Sequence, residues 1–122
     1  VDAYDHTGMA ASVGVQAFFD ACAGILSPDG VMSVNLWGSD NALFGQTMSR
    51  INQSFDGRTM ILPVENKGNV IGLAMNKLVT NAALKKLKPQ VELQELKFNI
   101  NLPRALHDLI RQNRSLISRL FS

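Results

Sequence analysis

Cysteine and histidine are scarce in this chain of 122 residues, which contains one cysteine and two histidines. Cys22 has no partner for a disulfide within the chain, and its place in an apolar helical pattern predicts a buried, unreactive thiol. A reducing, cytoplasmic location is therefore expected. His6 and His107 have no cysteine or histidine at ligand spacing around them, so no metal site is predicted.

Long apolar runs and aromatic residues are also few. No run reaches the length of a membrane-spanning helix, and the chain contains no basic-then-apolar stretch, so no membrane contact is expected. Residues 1–76 carry three Lys/Arg against seven Asp/Glu, whereas residues 77–122 carry nine against three. The basic residues of the second part alternate with leucines at helical spacing, and its only aromatic residues, Phe98 and Phe121, are too few to form a platform for stacked bases. A solvated helix face is therefore predicted, not a nucleic-acid groove.

What the chain does contain is a concentration of functional side chains in its first nine residues. An apolar residue followed by Asp-x-x-Asp and then a glycine is typical of the carboxyl end of a buried strand that passes into a loop. Ligands bind at this end of the strands in open α/β sheets. We therefore expect a site around Asp2, Tyr4, Asp5 and His6. The segment begins without an initiator methionine and with only the end of a strand, so we expect a fragment of a longer protein.

The residues after this segment predict alternating helices and strands. Two stretches repeat apolar residues at helical spacing, and three are short, apolar and bounded by glycine, proline or polar turns. The predicted helices are 12–26 and 41–55, and the predicted strands are 31–37, 59–63 and 70–75. The strand 31–37 is expected to run parallel to the opening strand, because a helix separates them. The last two strands are joined by a hairpin loop at 65–69, so an α/β sheet with an antiparallel edge is predicted.

The pattern changes to helices after residue 76. Residues 80–88, 89–96 and 102–120 predict helices, with Asn101 as the N-cap of the last one. The apolar positions of that last helix form one stripe, which is typical of a helix packed on its own domain; a partner-binding helix is the alternative. The predicted organisation is an α/β domain over residues 1–76 and a helical extension over residues 77–122 that packs on it.

Four segments together carry a family resemblance. They are Val1-Asp2-Ala3-Tyr4-Asp5-His6-Thr7-Gly8, Phe18-Phe19, Leu26-Ser27-Pro28-Asp29-Gly30-Val31 and Val34-Asn35-Leu36-Trp37. This series resembles the second half of spermidine synthase-like proteins, which are polyamine aminopropyltransferases on the class I S-adenosylmethionine methyltransferase fold. The resemblance extends over about residues 1–76. It implies the C-terminal half of a Rossmann-like, methyltransferase-type sheet with an antiparallel terminal hairpin and a helical C-terminal tail.

The resemblance also implies roles for the opening residues. Asp5 is expected to be the catalytic acid that holds the polyamine nitrogen or takes its proton, before that nitrogen displaces methylthioadenosine from decarboxylated S-adenosylmethionine. Asp2 is expected to bind substrate and cofactor, and Tyr4, His6 and Trp37 are expected to bind substrate. A cationic amine needs carboxylates for positioning and must lose a proton before it attacks, so the residue types suit this chemistry.

Several alternatives stay open at this point. The acids could be solvated loop groups that cap the following helix, and Tyr4 and Trp37 could be packing residues. The segment after Asp5 lacks the Pro-x-Gly-Pro of the family, and the strand 31–37 lacks the glutamine that family members commonly carry there. A methyltransferase of related fold and a non-catalytic assembly module are therefore the alternative functions.

The part of this fold that holds the cofactor has no counterpart in the sequence. Neither the glycine-rich turn after the first strand nor the ribose-binding acid after the second is found here. We expect the fragment alone to bind no cofactor and to be inactive, whereas its parent would use decarboxylated S-adenosylmethionine or S-adenosylmethionine. Without a neighbour, the strand 31–37 would expose an apolar edge, which predicts a homodimer.

Overall fold

The structure is a computed structural model. It describes residues 1–2, 4–5, 8–9, 13–38 and 41–120, and it describes side chains at residues 1–2, 13–38 and 41–112. The chain divides into two compact units, of which the first comprises Val1–Thr59 and Pro63–Leu78, and the second comprises Met60–Leu62 and Val79–Ser122. The predicted domain boundary after residue 76 and the packing of the helical extension on the α/β domain stay predictions.

Five short strands form two sheets within the described residues. They are β1 (Tyr4–Asp5), β2 (Gly8–Met9), β3 (Val31–Trp37), β4 (Thr59–Pro63) and β5 (Asn69–Met75). The first two pair with each other in the antiparallel direction. The other three lie side by side in the order β3, β5, β4. The strands predicted in the regions 31–37, 59–63 and 70–75 are confirmed.

Five helices are seen in the same part of the chain. They are α1 (Gln16–Ile25), α2 (Asn41–Ser54), α3 (Asn81–Lys85), α4 (Lys88–Phe98) and α5 (Leu102–Leu120). The predicted N-cap of α5 is confirmed, since the Oδ1 atom of Asn101 accepts a hydrogen bond from the backbone N–H of Arg104 at 3.1 Å. None of the described helices combines the length and the apolar character that a membrane crossing requires.

The opening residue pairs with β3 in the predicted parallel direction, but the prediction of a buried strand that passes into a loop is wrong. Val1 is 39% exposed, and the residues that follow include the antiparallel pair of β1 and β2. The backbone nitrogen of Val1 donates to the carbonyl oxygen of Ser33, and the carbonyl oxygen of Val1 accepts from the N–H of Asn35 at 2.9 Å. These two bonds bracket Val34, which is the hydrogen-bond pattern of a parallel pair. Asp2 follows Val1 and therefore lies toward the carboxyl end of β3. Val1 occupies part of the edge from which the sequence predicts a homodimer, and the homodimer itself stays a prediction.

The predicted terminal hairpin is confirmed, and its second strand lies next to β3. It is antiparallel, because the N–H of Val64 bonds to the carbonyl of Asn69 at 2.9 Å and the N–H of Met75 bonds to the carbonyl of Arg58 at 3.1 Å. The strand β5 pairs with β3 in the antiparallel direction, with Val31 opposite Met75. The strand β5 therefore lies inside the sheet, and β4 forms its edge.

Small residues on β5 suit this strand to the inner position. Gly72 lies opposite Val34 in the register and faces α2, since a Cβ atom on Gly72 would lie 3.0 Å from the Sδ atom of Met48. On the same face of β3, Met32, Val34 and Leu36 are buried. Because Gly72 has no side chain, α2 packs directly on β5. The core of the first unit lies on this face of the sheet.

A polar network joins α1 to α2. The Nε2 atom of Gln16 donates to the carbonyl oxygen of Arg50 at 2.8 Å and to the Oγ atom of Ser54 at 2.6 Å. The hydroxyl of Ser54 in turn donates to Oδ1 of Asp20 at 2.7 Å, and the Nη1 atom of Arg50 donates to the carbonyl oxygen of Gly14 at 2.8 Å. These bonds hold the two helices side by side.

Candidate functional site

The predicted site lies only partly within the described side chains. Asp2 is exposed beside β3, and Trp37 is the last residue of β3, with 49% of its surface exposed. Tyr4 and Asp5 form β1, where the structure describes the backbone. His6 lies outside the described residues. The catalytic role of Asp5 and the binding roles of all five residues stay predictions.

An amide side chain from β3 holds the carboxylate of Asp2. The Nδ2 group of Asn35 donates to the Oδ1 atom of Asp2 at 3.3 Å. This contact follows from the parallel pairing of Val1, which places the next residue beside the carboxyl half of β3. Asp2 thus bonds to a strand residue and not to the N-terminus of a helix. The N-cap of α1 is Val15, which makes no side-chain cap.

A second amide, on β5, holds the first one. The Nδ2 group of Asn69 donates to the Oδ1 atom of Asn35 at 2.9 Å, and both side chains are half-buried. In the antiparallel register Asn69 lies opposite Trp37, and Asn35 lies opposite Ile71. Side chains alternate along a strand, so the two asparagines and the tryptophan share one face of the sheet. This face is the reverse of the one packed on α2.

The cluster of Asp2, Asn35, Asn69 and Trp37 suits a cationic ligand. Asp2 carries the only formal charge among these four side chains, and it is exposed. A hydrogen bond from a cation to a carboxylate is about twice as strong as one between neutral groups. An indole ring also attracts a cation that approaches its face. The residue types at this end of β3 are therefore able to attract a cation, and their binding roles stay predictions.

Metal binding and thiol reactivity are the other chemistries to consider in the part of the chain that the structure describes. No group of three histidines, cysteines, aspartates or glutamates able to hold a metal ion is found among the residues that the structure describes. Cys22 on α1 is half-buried, where the sequence predicts it to be buried. Burial raises the pKa of the Cys22 thiol, which favours the protonated form and agrees with the predicted low reactivity.

Sequence reasoning missed Asn35 and Asn69 as members of the site. The hairpin pattern assigns Asn69 to the loop at 65–69, whereas it is the first residue of β5. Asn35 interrupts an apolar strand, and a polar side chain there requires a hydrogen-bond partner, which is a usable signal. The identity of that partner depends on the register of two strands, because the bonded residues lie 34 positions apart in the sequence. No local pattern contains that register.

The chain is similar to known polyamine aminopropyltransferases. It is 27% identical over 113 residues to the polyamine aminopropyltransferase of Neisseria meningitidis serogroup A, and equally to that of serogroup B. It is 25% identical over 120 residues to the polyamine aminopropyltransferase of Chromobacterium violaceum. No protein-family model matches the chain, and no solved structure matches it significantly.

These relatives are more than twice as long as the chain. The matches cover 93% to 98% of this chain but 43% to 46% of the relatives, so the chain spans less than half of their length. The similarity also reaches beyond residues 1–76, which carry the motifs, into the helical tail. The resemblance predicted from the opening motif is thereby confirmed at low identity. Over nearly its whole length, this chain is similar to polyamine aminopropyltransferases.

Proposed function

We propose that this chain is the C-terminal half of a transferase that moves an aminopropyl group from decarboxylated S-adenosylmethionine to an amine of a polyamine. The observation that carries the proposal is the exposed carboxylate of Asp2, held by Asn35 at the carboxyl end of β3. This carboxylate stands in a chain similar to polyamine aminopropyltransferases over most of its length. Because the chain spans less than half of those relatives, the remaining half would supply most of the donor-binding residues.

In this proposal Asp2 and Asp5 have different roles toward the amine: Asp2 binds it and Asp5 removes its proton. Alkyl amines are protonated at neutral pH, and a protonated nitrogen has no lone pair for attack. Asp2 holds an ammonium group by a charge-assisted hydrogen bond, and Asp5 takes the proton from the attacking nitrogen. That nitrogen forms a bond to the propyl carbon, the carbon–sulfur bond breaks, and the sulfur keeps the electron pair and leaves as methylthioadenosine. Tyr4, His6 and Trp37 would line the path of the polyamine.

A Rossmann-like, methyltransferase-type sheet is part of the proposal. It is supported by the parallel pairing of Val1 with β3, by two helices side by side in the first unit, and by the antiparallel hairpin of β4 and β5. Such sheets bind ligands outside the carboxyl ends of their parallel strands, and Asp2 and Trp37 lie toward the carboxyl end of β3.

The proposal also includes a cytoplasmic location and a homodimer. Light scattering of the 122-residue chain tests the dimer, and a monomer at high concentration would remove that part.

The test of the reaction measures the methylthioadenosine that the full-length protein releases from decarboxylated S-adenosylmethionine in the presence of putrescine. We expect turnover by the wild-type protein. Asp5→Asn should lower kcat by about 10²–10⁴-fold, because the general base is lost. Calorimetric affinity for the donor should change by less than about twofold. Asp29→Asn is the matched control, since this exposed carboxylate lies 3.5 Å from Lys77 in a surface ion pair.

The product distinguishes the alternatives. Retained turnover in Asp5→Asn would contradict the role of that carboxylate. Release of S-adenosylhomocysteine together with a methylated acceptor would assign a methyltransferase. A full-length protein that forms no product and binds no S-adenosyl ligand in the calorimeter would be a non-catalytic assembly module.

A further inference from the structure

Asp2, Asn35 and Asn69 form a hydrogen-bonded relay whose direction is determined by the carboxylate at its end. An ionised carboxylate only accepts hydrogen bonds, so Asn35 must turn its Nδ2 group toward Asp2 and its Oδ1 atom away. That Oδ1 atom accepts from the Nδ2 group of Asn69 at 2.9 Å. Both amides therefore donate in the same direction, toward the acid.

We infer that Asn35 and Asn69 are positioning residues, which hold the carboxylate of Asp2 in the orientation that receives a cationic amine. The identity of that amine as a polyamine rests on the proposed function. Asn35 acts directly on Asp2, whereas Asn69 acts only through Asn35. Hydrogen bonds in a chain polarise one another, so the bond from Asn69 strengthens the bond that reaches the acid.

The place of the relay separates it from the packing of the sheet. The hydrophobic side chains of β3, including the fully buried Val34, lie on the face toward α2. The relay lies on the other face and ends at an exposed acid. The side chains of Asn35 and Asn69 are only half-buried and polar, so they bury little apolar surface and contribute little to the packing of the sheet. They restrict its rotation, and a carboxylate that is already oriented loses less freedom when a cation binds.

Substitutions at Asn69 test the direction of the relay. Asn69→Leu removes the donor, Asn69→Gln keeps an amide donor, and Asn69→Asp replaces the donor by an acceptor. The acceptor would draw the Nδ2 group of Asn35 toward itself and leave Oδ1 facing the carboxylate of Asp2, where two acceptors repel. By charge alone, the added carboxylate would strengthen the binding of a cation. The relay and a simple charge effect thus predict opposite results for one variant.

The measurement is steady-state kinetics of the full-length protein with putrescine. Asn35→Leu and Asn69→Asp should each raise the KM for putrescine about five- to tenfold, and Asn69→Leu about two- to threefold, as expected for the loss of one hydrogen bond. Asn69→Gln should stay near the wild type. The kcat and the KM for the donor should change by less than about twofold in every variant. Ser33→Ala, on the same face of β3, is the control.

A lower KM for putrescine in Asn69→Asp than in the wild type would overturn the relay. So would KM values in Asn69→Gln and Ser33→Ala that rise as much as the KM in Asn69→Leu.

Nuclear magnetic resonance of the isotope-labelled 122-residue chain separates this inference from the proposed function. The side-chain amide signals of Asn35 should shift, and exchange faster with water, in Asn69→Leu but not in Ser33→Ala. If they do so while the full-length protein releases no methylthioadenosine, the relay stands and the proposed function alone fails. Signals that do not respond to Asn69→Leu overturn the relay.

Discussion

Asn76 joins the segment after β5 to the end of α1. Its Nδ2 group donates to the carbonyl oxygens of Ala23 at 2.9 Å and of Leu26 at 3.1 Å, and the side chain is half-buried. The last carbonyl groups of a helix have no partner within the helix. One side chain here satisfies two such carbonyls across about 50 residues of sequence. We therefore expect Asn76→Ala to lower the free energy of unfolding.

The size of the effect follows from the two bonds. A hydrogen bond contributes about 0.5–1.5 kcal/mol net, and a carbonyl left unpaired in a partly buried place costs somewhat more. Water replaces part of the loss because the site is only half-buried, so a total of about 2 kcal/mol is expected. For a chain of this length, that corresponds to a decrease in Tm of about 6–10 °C.

Urea unfolding followed by circular dichroism measures the change, and an unaltered m-value confirms that only stability has changed. Lys77→Ala, at the next position, is the matched control. Its Nζ atom lies 3.5 Å from Oδ1 of Asp29, and the two side chains are 73% and 86% exposed, so this ion pair is open to water. Such exposed pairs contribute at most about 1 kcal/mol and often nothing measurable. Equal, small losses in Asn76→Ala and Lys77→Ala would refute the capping role of Asn76.

Two further predictions concern the first unit. Gly72→Val should lower the free energy of unfolding by about 1–3 kcal/mol, because a Cβ atom at this position would lie 3.0 Å from Sδ of Met48 and 3.4 Å from Cδ1 of Leu36. An unchanged midpoint of urea unfolding would contradict the direct packing of α2 on β5. Cys22 should react with iodoacetamide more slowly in the folded chain than in the unfolded chain at about pH 8, because burial raises the pKa of its thiol and reduces the reactive thiolate. The folded rate should approach the unfolded rate as the pH rises past the raised pKa, and equal rates at about pH 8 would contradict the burial effect.

Local patterns were sufficient for most elements of the fold. The alternation of Met32, Val34 and Leu36 with more exposed residues is the period of a strand with one buried face. The helix that begins at Leu102 is preceded by Asn101, whose short side chain reaches the backbone N–H of Arg104. Both features depend on residues only a few positions apart, so the sequence displays them directly.

The order of the strands required information that no local pattern contains. In the sequence, Gly72 only indicates a destabilised strand. Its role in the packing of α2 on β5 depends on Met48, which is distant in sequence and lies against Gly72 in the structure. The same limit applies to the site. A motif identified Asp2, but the side chains that hold it come from β3 and β5, which approach each other only after the sheet has formed. Tyr4, Asp5 and His6 were also identified by the motif, and their roles stay predictions.

The central claim is that this chain carries the acids of an aminopropyl-transferring site. Its most direct test is the rate at which the full-length protein releases methylthioadenosine from decarboxylated S-adenosylmethionine and putrescine. The wild-type protein is expected to turn over, and Asp5→Asn is expected to lose at least about 10²-fold in kcat with its donor affinity retained. Wild-type rates in Asp5→Asn, or a wild-type protein that binds the donor and releases no methylthioadenosine, would contradict it.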